Sequence, residues 1–347
     1  MTTLLTNAYS AKNSGDGLLV DESIAIVKNA GLDPSCMLAL DPGSFVNKEI
    51  EILHSDVNRY KFLLELYKGN LDIQSRSITQ AFAVGGGYLR FPTRKVGLKT
   101  YLSHLTQLKA LQQNGIAFGM LPVSIGPITF FKSEVIEVLR QAKFIAVRDD
   151  KSFDELRMLS NVVRIPDLSI LHNFSPSQNL NTDFQVGLII RGLDYEDWNK
   201  SVKRLADIPN SFLMLQSSVG RKNNDGDYFK KILPNKEILT TKDAFLIRRP
   251  SLVISSRLHG AIMSINQGVP AIHLGYERKS MGVFRDLGLA EFCLPAHKLD
   301  FSKLIELINR FQKNPSYLDY YFHRIEETNR LRMDSRENLV SMMSGCK

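Results

Sequence analysis

The chain has 347 residues, 44% of them hydrophobic, and a formal net charge of +8. That length exceeds one ordinary core and points to two domains. No window approaches the ~18 consecutive apolar residues of a membrane span and the first residues do not read as a signal peptide, so the expected location is cytoplasmic, peripheral at the inner membrane face at most. Cys36, Cys293 and Cys346 are far apart and without metal-type spacing, which argues against a disulfide framework and against a zinc site. The positive balance favours anionic partners, a phosphorylated small molecule or an anionic membrane surface. Nucleic acid is set aside, because no aromatic-interleaved basic stripe or zinc finger is present.

Taken in order, Leu4–Ala11 reads as a weak first strand, followed by the glycine-broken turn Lys12-Asn13-Ser14-Gly15-Asp16-Gly17 and a helix to about Asn29, stopped by Gly31. Asp16 at the helix entrance suits a cap as well as a binding role. Asp41–Tyr67 is mixed, with a helix expected over Val57–Tyr67. Ala81–Val84 is a strand running into Gly85-Gly86-Gly87-Tyr88, a turn that lets backbone approach a ligand or pack tightly on a neighbour. The basic run Arg90, Arg94, Lys95 and Lys99 follows, either a solvated face or a surface for an anionic or lipid-linked acceptor. A helix over Lys99–Gln113, a strand over Ile116–Met120, a helix over Lys132–Ala142 and a strand over Phe144–Val147 continue a βα alternation. That last strand ends in Arg148-Asp149, where Asp149, Ser152 and Glu155 suit a capping box.

Asn173–Asp183 lacks an apolar period and is the expected linker. Beyond it, Phe184–Ile190 delivers Arg191 to a strand end, Trp198–Leu205 is helical, Phe212–Leu215 is a strand, Arg221–Asp227 a polar loop, Lys236–Thr240 a strand and Lys242–Arg249 a short helix. Leu252–Ile254 is a short β-branched strand that turns at Ser255-Ser256-Arg257-Leu258-His259-Gly260 into a helix expected from Ala261 to Gln267. A fixed cation, an imidazole and a helix N-terminus at one turn outline an anion site. The next strand, Ala271–Leu274, ends in Tyr276-Glu277-Arg278-Lys279, so two successive strand ends carry cations to the edge where open α/β sheets bind ligands. His273, on an apolar strand, reads as a core histidine. Phe301–Phe311 and Ser316–Met342 are helical by spacing.

Together these turns resemble the polysaccharide pyruvyltransferase family. The matching pieces are Asn13-Ser14-Gly15-Asp16, Gly85–Leu89, Gly119–Pro127, Arg148-Asp149 with Ser152, Pro166-Asp167, the Arg191 strand end and, most specifically, Ser255–Leu289 with its Arg257-Leu258-His259-Gly260 block. The resemblance implies a glycosyltransferase-B-like (GT-B) fold: α/β, with two Rossmann-like doubly wound domains facing a cleft. The expected spans are 1–178 for the acceptor side, 179–315 for the donor side and 316–347 for helices returning to the junction. It also implies transfer of pyruvate from phosphoenolpyruvate, a co-substrate, onto two hydroxyls of a saccharide acceptor, free or lipid-linked, with no cofactor and no metal. Phosphoenolpyruvate carries a phosphate and a carboxylate, so Arg191, Arg257, Leu258, His259, Gly260 and Lys279 are the expected donor contacts. His259 is the expected general acid, an imidazole's ordinary pKa lying near neutrality. Asp16 and Asp149 are candidates for the base, and Asn13, Gly15, Asp16, Gly86, Gly87 and Tyr88 are the expected acceptor contacts. Two other readings stay open. One is a GT-B glycosyltransferase with a nucleotide-diphosphate sugar, for which Glu277 suits the ribose hydroxyls; the other is a non-catalytic glycan-binding or regulatory module.

Overall fold

The computed structural model describes residues 2–45, 50–53, 61, 64–65, 68, 77–175, 183–220 and 224–345, and the side chains of Arg278 and Lys279 fall outside this set. The helix expected over Val57–Tyr67, most of the Asn173–Asp183 linker and Cys346 therefore lie wholly or largely outside the described residues. The chain divides into two units. One is Met1–Ala11, Asp16–Leu171 and Met333–Lys347; the other is Lys12–Gly15 and His172–Arg332.

In the first unit the strands are β1 (Thr2–Ala8), β2 (Asp33–Ala39), β3 (Glu51–Ile52), β4 (Ile78–Ala83), β5 (Gly86–Phe91), β6 (Ala117–Ile128), β7 (Ile145–Val147) and β8 (Val162–Arg164). Among the described residues they form one sheet ordered β3-β2-β1-β4-β6-β7-β8, with β5 beside β6, and every pairing is parallel. Both faces are covered, as parallel sheets require. Leu4, Leu38 and Ala81 point into one apolar core with Leu108 and Leu111, while Leu5, Met37 and Phe82 point into the other with Val20 and Leu339. Consecutive residues thus enter opposite cores, the period of two that a strand imposes.

The first strand is not weak but central, between β2 and β4. Its polar residues Thr3, Thr6 and Asn7 are buried, and side chains from distant segments serve two of them. Gln80 donates to the Thr3 hydroxyl (3.3 Å), and His104 Nδ1 lies 3.2 Å from Asn7 Oδ1. The sequence reading missed β2 and β5 and stopped β6 at Met120. The helical run expected from Lys99 begins at Arg94, where Thr93 caps it by accepting from the Val96 amide, and passes through a π turn at Tyr101–Leu105.

In the second unit β9 (Val186–Ile189), β10 (Ser211–Leu215), the short β11 (Ser218–Val219), β12 (Ile238–Thr240), β13 (Leu252–Ser255), β14 (Ala271–Gly275) and β15 (Cys293–Pro295) alternate with helices. The parallel sheet runs β12-β10-β9-β13-β14-β15. That is the Rossmann order, with the chain's direction of travel across the sheet reversing between β9 and β13, the topological switch point where ligands bind beyond the carboxyl ends of strands. The polar loop expected over Arg221–Asp227 instead ends in a helix, Asp225–Ile232, capped by Asn224, which accepts from the Asp227 amide. Among the described residues no helix is long and apolar enough to cross a membrane.

Candidate functional site

Arg191 follows β9 and Arg257 follows β13, so the two cations expected at the donor site stand at the adjacent strand ends of the switch point. Each is braced. The Arg191 amide donates to the Ser256 hydroxyl (2.9 Å), its carbonyl accepts from the Trp198 indole (2.8 Å), and its guanidinium donates to the Tyr276 hydroxyl (2.7 Å) at 5.2 Å from that ring's centre. Burial pushes the Tyr276 phenol above its ordinary pKa, with Glu277 adding to the rise and Arg191 opposing it. It is therefore a neutral hydroxyl.

The helix after β13 begins at Leu258, three residues before the expected Ala261, with Arg257 as its N-cap. Its first backbone bond runs from the Ala261 amide to the Arg257 carbonyl (3.1 Å). The amides of Leu258, His259 and Gly260 precede that bond and belong to the helix terminus that favours anions.

Arg257, an expected donor contact, is held by a buried carboxylate. Its Nε donates to both Asp225 oxygens (3.0 and 2.8 Å) and its Nη2 to Oδ1. Asp225 also accepts from the Ser217 amide (3.0 Å). Both partners are nearly buried. Burial is the largest influence on the Asp225 carboxyl and pushes its pKa up, while Arg257 pulls it down. The ion pair fixes the guanidinium plane and occupies its Nε–Nη2 edge. Sequence reasoning missed Asp225 because it sits in a polar run; the Asn224 cap ahead of acidic residues was the available signal.

Asn13, Ser14 and Gly15, expected on the acceptor side, belong with the second unit. The Ser14 amide donates to the Gln216 carbonyl (3.1 Å), and Asn13 Oδ1 accepts from the Gly15 amide (3.2 Å). A side chain at Gly15 would begin 2.7 Å from His259 Cβ and 3.0 Å from Gln216 Nε2, so only glycine lets the Asn13 turn lie on the imidazole. Across the same spot, a Cβ at Gly260 would lie 2.3 Å from Gln216 Oε1 and 2.8 Å from Ser255 Oγ. Gln216 is thus wedged between the two motifs. It is buried, and its Oε1 has no hydrogen-bond partner among the described residues. No local pattern marks it, since it only opens the polar run Gln216-Ser217-Ser218 after β10. Asp16 is the next residue along, in the first turn of the helix Ser14–Asn29.

His273 is a core residue, as its strand context suggested. Its Nδ1 lies 2.8 Å from the Ser255 carbonyl, its ring stacks on Phe284, and burial brings its pKa down to about 4. Nε2 has no partner among the described residues. Lys279 lies on the helix Arg278–Asp286, but its side chain is outside the described set.

In the first unit, Asp149 is the N-cap of the helix Asp150–Leu156. It accepts from the Ser152 amide (3.0 Å) and from the Ser152 hydroxyl at both oxygens. Glu155 turns away from the capping box and accepts from the Ile128 amide (3.1 Å). Gly85 abuts the Pro122 carbonyl, which is the tight-packing alternative, and Gly86 and Gly87 open β5. Tyr88 donates to the Val84 carbonyl (2.9 Å) and stacks on His104. Arg148 forms a buried ion pair with Asp167. Among the described residues no group of three or more His, Cys, Asp or Glu is placed to hold a metal ion.

The family model for polysaccharide pyruvyl transferases matches residues 13–278, from the Asn13 turn through β13 and its helix to the start of the helix after β14. The chain belongs to the polysaccharide pyruvyl transferase family. AmsJ of Erwinia amylovora, an amylovoran biosynthesis protein, is 36% identical to this pyruvyl transferase family member over 80 residues, 23% of this chain but only 19% of AmsJ. Solved structures of similar shape are sucrose-phosphate synthase from Thermosynechococcus elongatus (14% identical, TM-score 0.59, 98% of this chain and 97% of that one) and a glycosyltransferase from Rickettsia africae (11%, 0.59, 99% and 98%). A third is UDP-GlcNAc 2-epimerase from Neisseria meningitidis (10%, 0.56, 96% and 99%). At such identities the likeness is one of fold, and it places this family member among GT-B proteins.

Proposed function

We propose that this chain transfers pyruvate from phosphoenolpyruvate to two hydroxyls of a saccharide, forming a ketal and releasing phosphate. The observation that carries this reading is the meeting of Arg191 with the Arg257-Leu258-His259-Gly260 turn at the switch point of the second unit. A small trianion needs cations and oriented amides in little space, and this strand edge offers both. Because Asp225 neutralises much of Arg257, Arg191 and the helix amides carry most of the attraction, with Lys279 the further candidate. The Arg257 ion pair acts chiefly to hold the turn in shape.

In this reaction His259 donates a proton to the methylene carbon as a saccharide hydroxyl attacks the adjacent carbon. Expulsion of phosphate and attack by the second hydroxyl close the ring. Of the two hydroxyl protons, one replaces that given by His259 and the other leaves with phosphate. Asp16 is the stronger candidate base, since it adjoins Gly15, whereas Asp149 is engaged as a cap. Asn13 and Gly15, and in the first unit Gly86, Gly87 and Tyr88, remain candidates for the acceptor side. The acceptor is a saccharide of a polysaccharide pathway, free or lipid-linked.

The test is incubation with phosphoenolpyruvate and a synthetic glycoside. The expected result is phosphate release matched by a product heavier by one pyruvic acid less one water, lost in His259→Ala. Transfer from a nucleotide-diphosphate sugar with none from phosphoenolpyruvate overturns it in favour of glycosyl transfer, with Glu277 the candidate for the ribose hydroxyls.

A further inference from the structure

The helix Arg94–Thr100 of the first unit wears apolar side chains on its outside. Val96 is 43% exposed, Leu98 50%, Leu102 of the following turn 37%, and Phe130, just after β6, 40%. The helix seats itself with other residues: Gly97 and Thr100 are buried, and Gly97 lies against the rings of Phe131 and Phe91. Phe131 thereby holds its chain neighbours Phe130 and Lys132 close to this helix, and the Phe130 amide donates to the Phe91 carbonyl (3.2 Å). Lys95, Leu98, Lys99 and Leu102 follow one another at i, i+3, i+4 and i+7, which puts two cations and two leucines on one helical stripe. Arg90, Arg94 and Lys132 are exposed at its margins, and Glu134 is the exposed carboxylate nearest in sequence.

Soluble surfaces keep such aliphatic residues scattered. Here they are interleaved with cations, the pattern of a helix lying in the headgroup region of an anionic bilayer, apolar side chains inserted and cations on phosphates. Nucleic acid would match the cations but leave Leu98 and Leu102 unexplained. We propose that this face docks the protein reversibly on an anionic lipid surface, Leu98, Leu102 and Phe130 entering the interface and Arg90, Arg94, Lys95, Lys99 and Lys132 contacting headgroups. Its significance for delivery of a lipid-linked saccharide rests on the reading above; the docking itself does not.

The experiment floats the full chain with vesicles of phosphatidylcholine alone and of phosphatidylcholine with phosphatidylglycerol, at low and high salt. The unaltered protein is expected to float with anionic vesicles only and to be released by salt. Lys95→Glu/Lys99→Glu should lower partitioning at least about tenfold. Leu98→Ser/Leu102→Ser, with charge unchanged, should lower it at least about fivefold. Circular dichroism verifies that both variants are folded, and both should transfer pyruvate to a soluble glycoside as the parent does. Failure of the parent to float overturns the proposal, as does flotation indifferent to the leucine pair, which would reflect net charge alone. A concentration-dependent dimer dissolved by the leucine pair would also overturn it and assign the face to a second copy. Flotation without any phosphoenolpyruvate turnover would leave the docking standing and remove the pyruvyl-transfer reading.

Discussion

Removing the Asp225 carboxylate tests whether the Arg257-Leu258-His259-Gly260 turn is held by a buried ion pair. Asp225 and Arg257 are both nearly inaccessible, joined through Nε at 2.8 and 3.0 Å and through Nη2. Burial raises the Asp225 pKa despite Arg257, so the mutual attraction does not outweigh the loss of hydration. Such a pair is nearly neutral relative to an apolar one of similar volume, whereas breaking it strands a buried charge at a cost of ~3–5 kcal/mol. Asp225→Ala should therefore lose about that much stability, and Asp225→Leu with Arg257→Met should regain it to within ~1 kcal/mol while losing affinity for phosphoenolpyruvate. The one tryptophan of the chain, Trp198, is buried in the second unit beside Arg191, so its fluorescence during urea unfolding reports on this unit. Calorimetry supplies the affinity. An Asp225→Ala variant within ~1 kcal/mol of the parent, or a double variant no more stable than the single, refutes the reasoning.

His273 predicts a pH dependence. Its native pKa of about 4 lies below the ordinary 6.5, so the unfolded chain takes up a proton that the native one refuses as pH falls through that interval. Stability should be full above 6.5 and decline by ~1.4 kcal/mol per pH unit to a total near ~3 kcal/mol. The difference between the parent and His273→Gln across that window, by the same fluorescence, isolates the contribution; identical slopes would exclude it. At Gly260, alanine brings ~1 kcal/mol of helix propensity but meets Gln216 Oε1 and Ser255 Oγ inside contact distance. Overpacking of ~1–3 kcal/mol should win, with a rise in KM for phosphoenolpyruvate of at least about tenfold, and a more stable, fully active variant would contradict the packing.

The Arg257-Leu258-His259-Gly260 turn was legible because its elements are contiguous: a β-branched strand, a cap-rich turn and a helix, each with a local signature. Its support was not. Asp225 reaches Arg257 across 32 positions, and Gln216 meets Gly15 and Gly260 only because β10 brings it there. The same physics hid the first strand. Thr3 and Asn7 look wrong for a buried strand until Gln80 and His104 arrive from elsewhere to meet them. Helices fared better, since a repeating apolar stripe survives without knowledge of its partner, although their first turns were misplaced where the cap is an arginine, as at Leu258. The charge run Arg90–Lys99 was visible as charge, whereas the outward Leu98 within it and Leu102 beyond it acquire meaning only once the buried side of the helix is known.

The helix Asn329–Ser344 places Leu339 and Met343 in the same apolar cluster as Leu5 and Val20. A ribosome making this chain would emit the whole of His172–Arg332 before those two side chains emerge. One face of the first sheet must wait, half clothed, through that interval, and transiently uncovered apolar surface of this kind is where folding chains aggregate, so the quality of the earliest-made layer depends on the latest-made one.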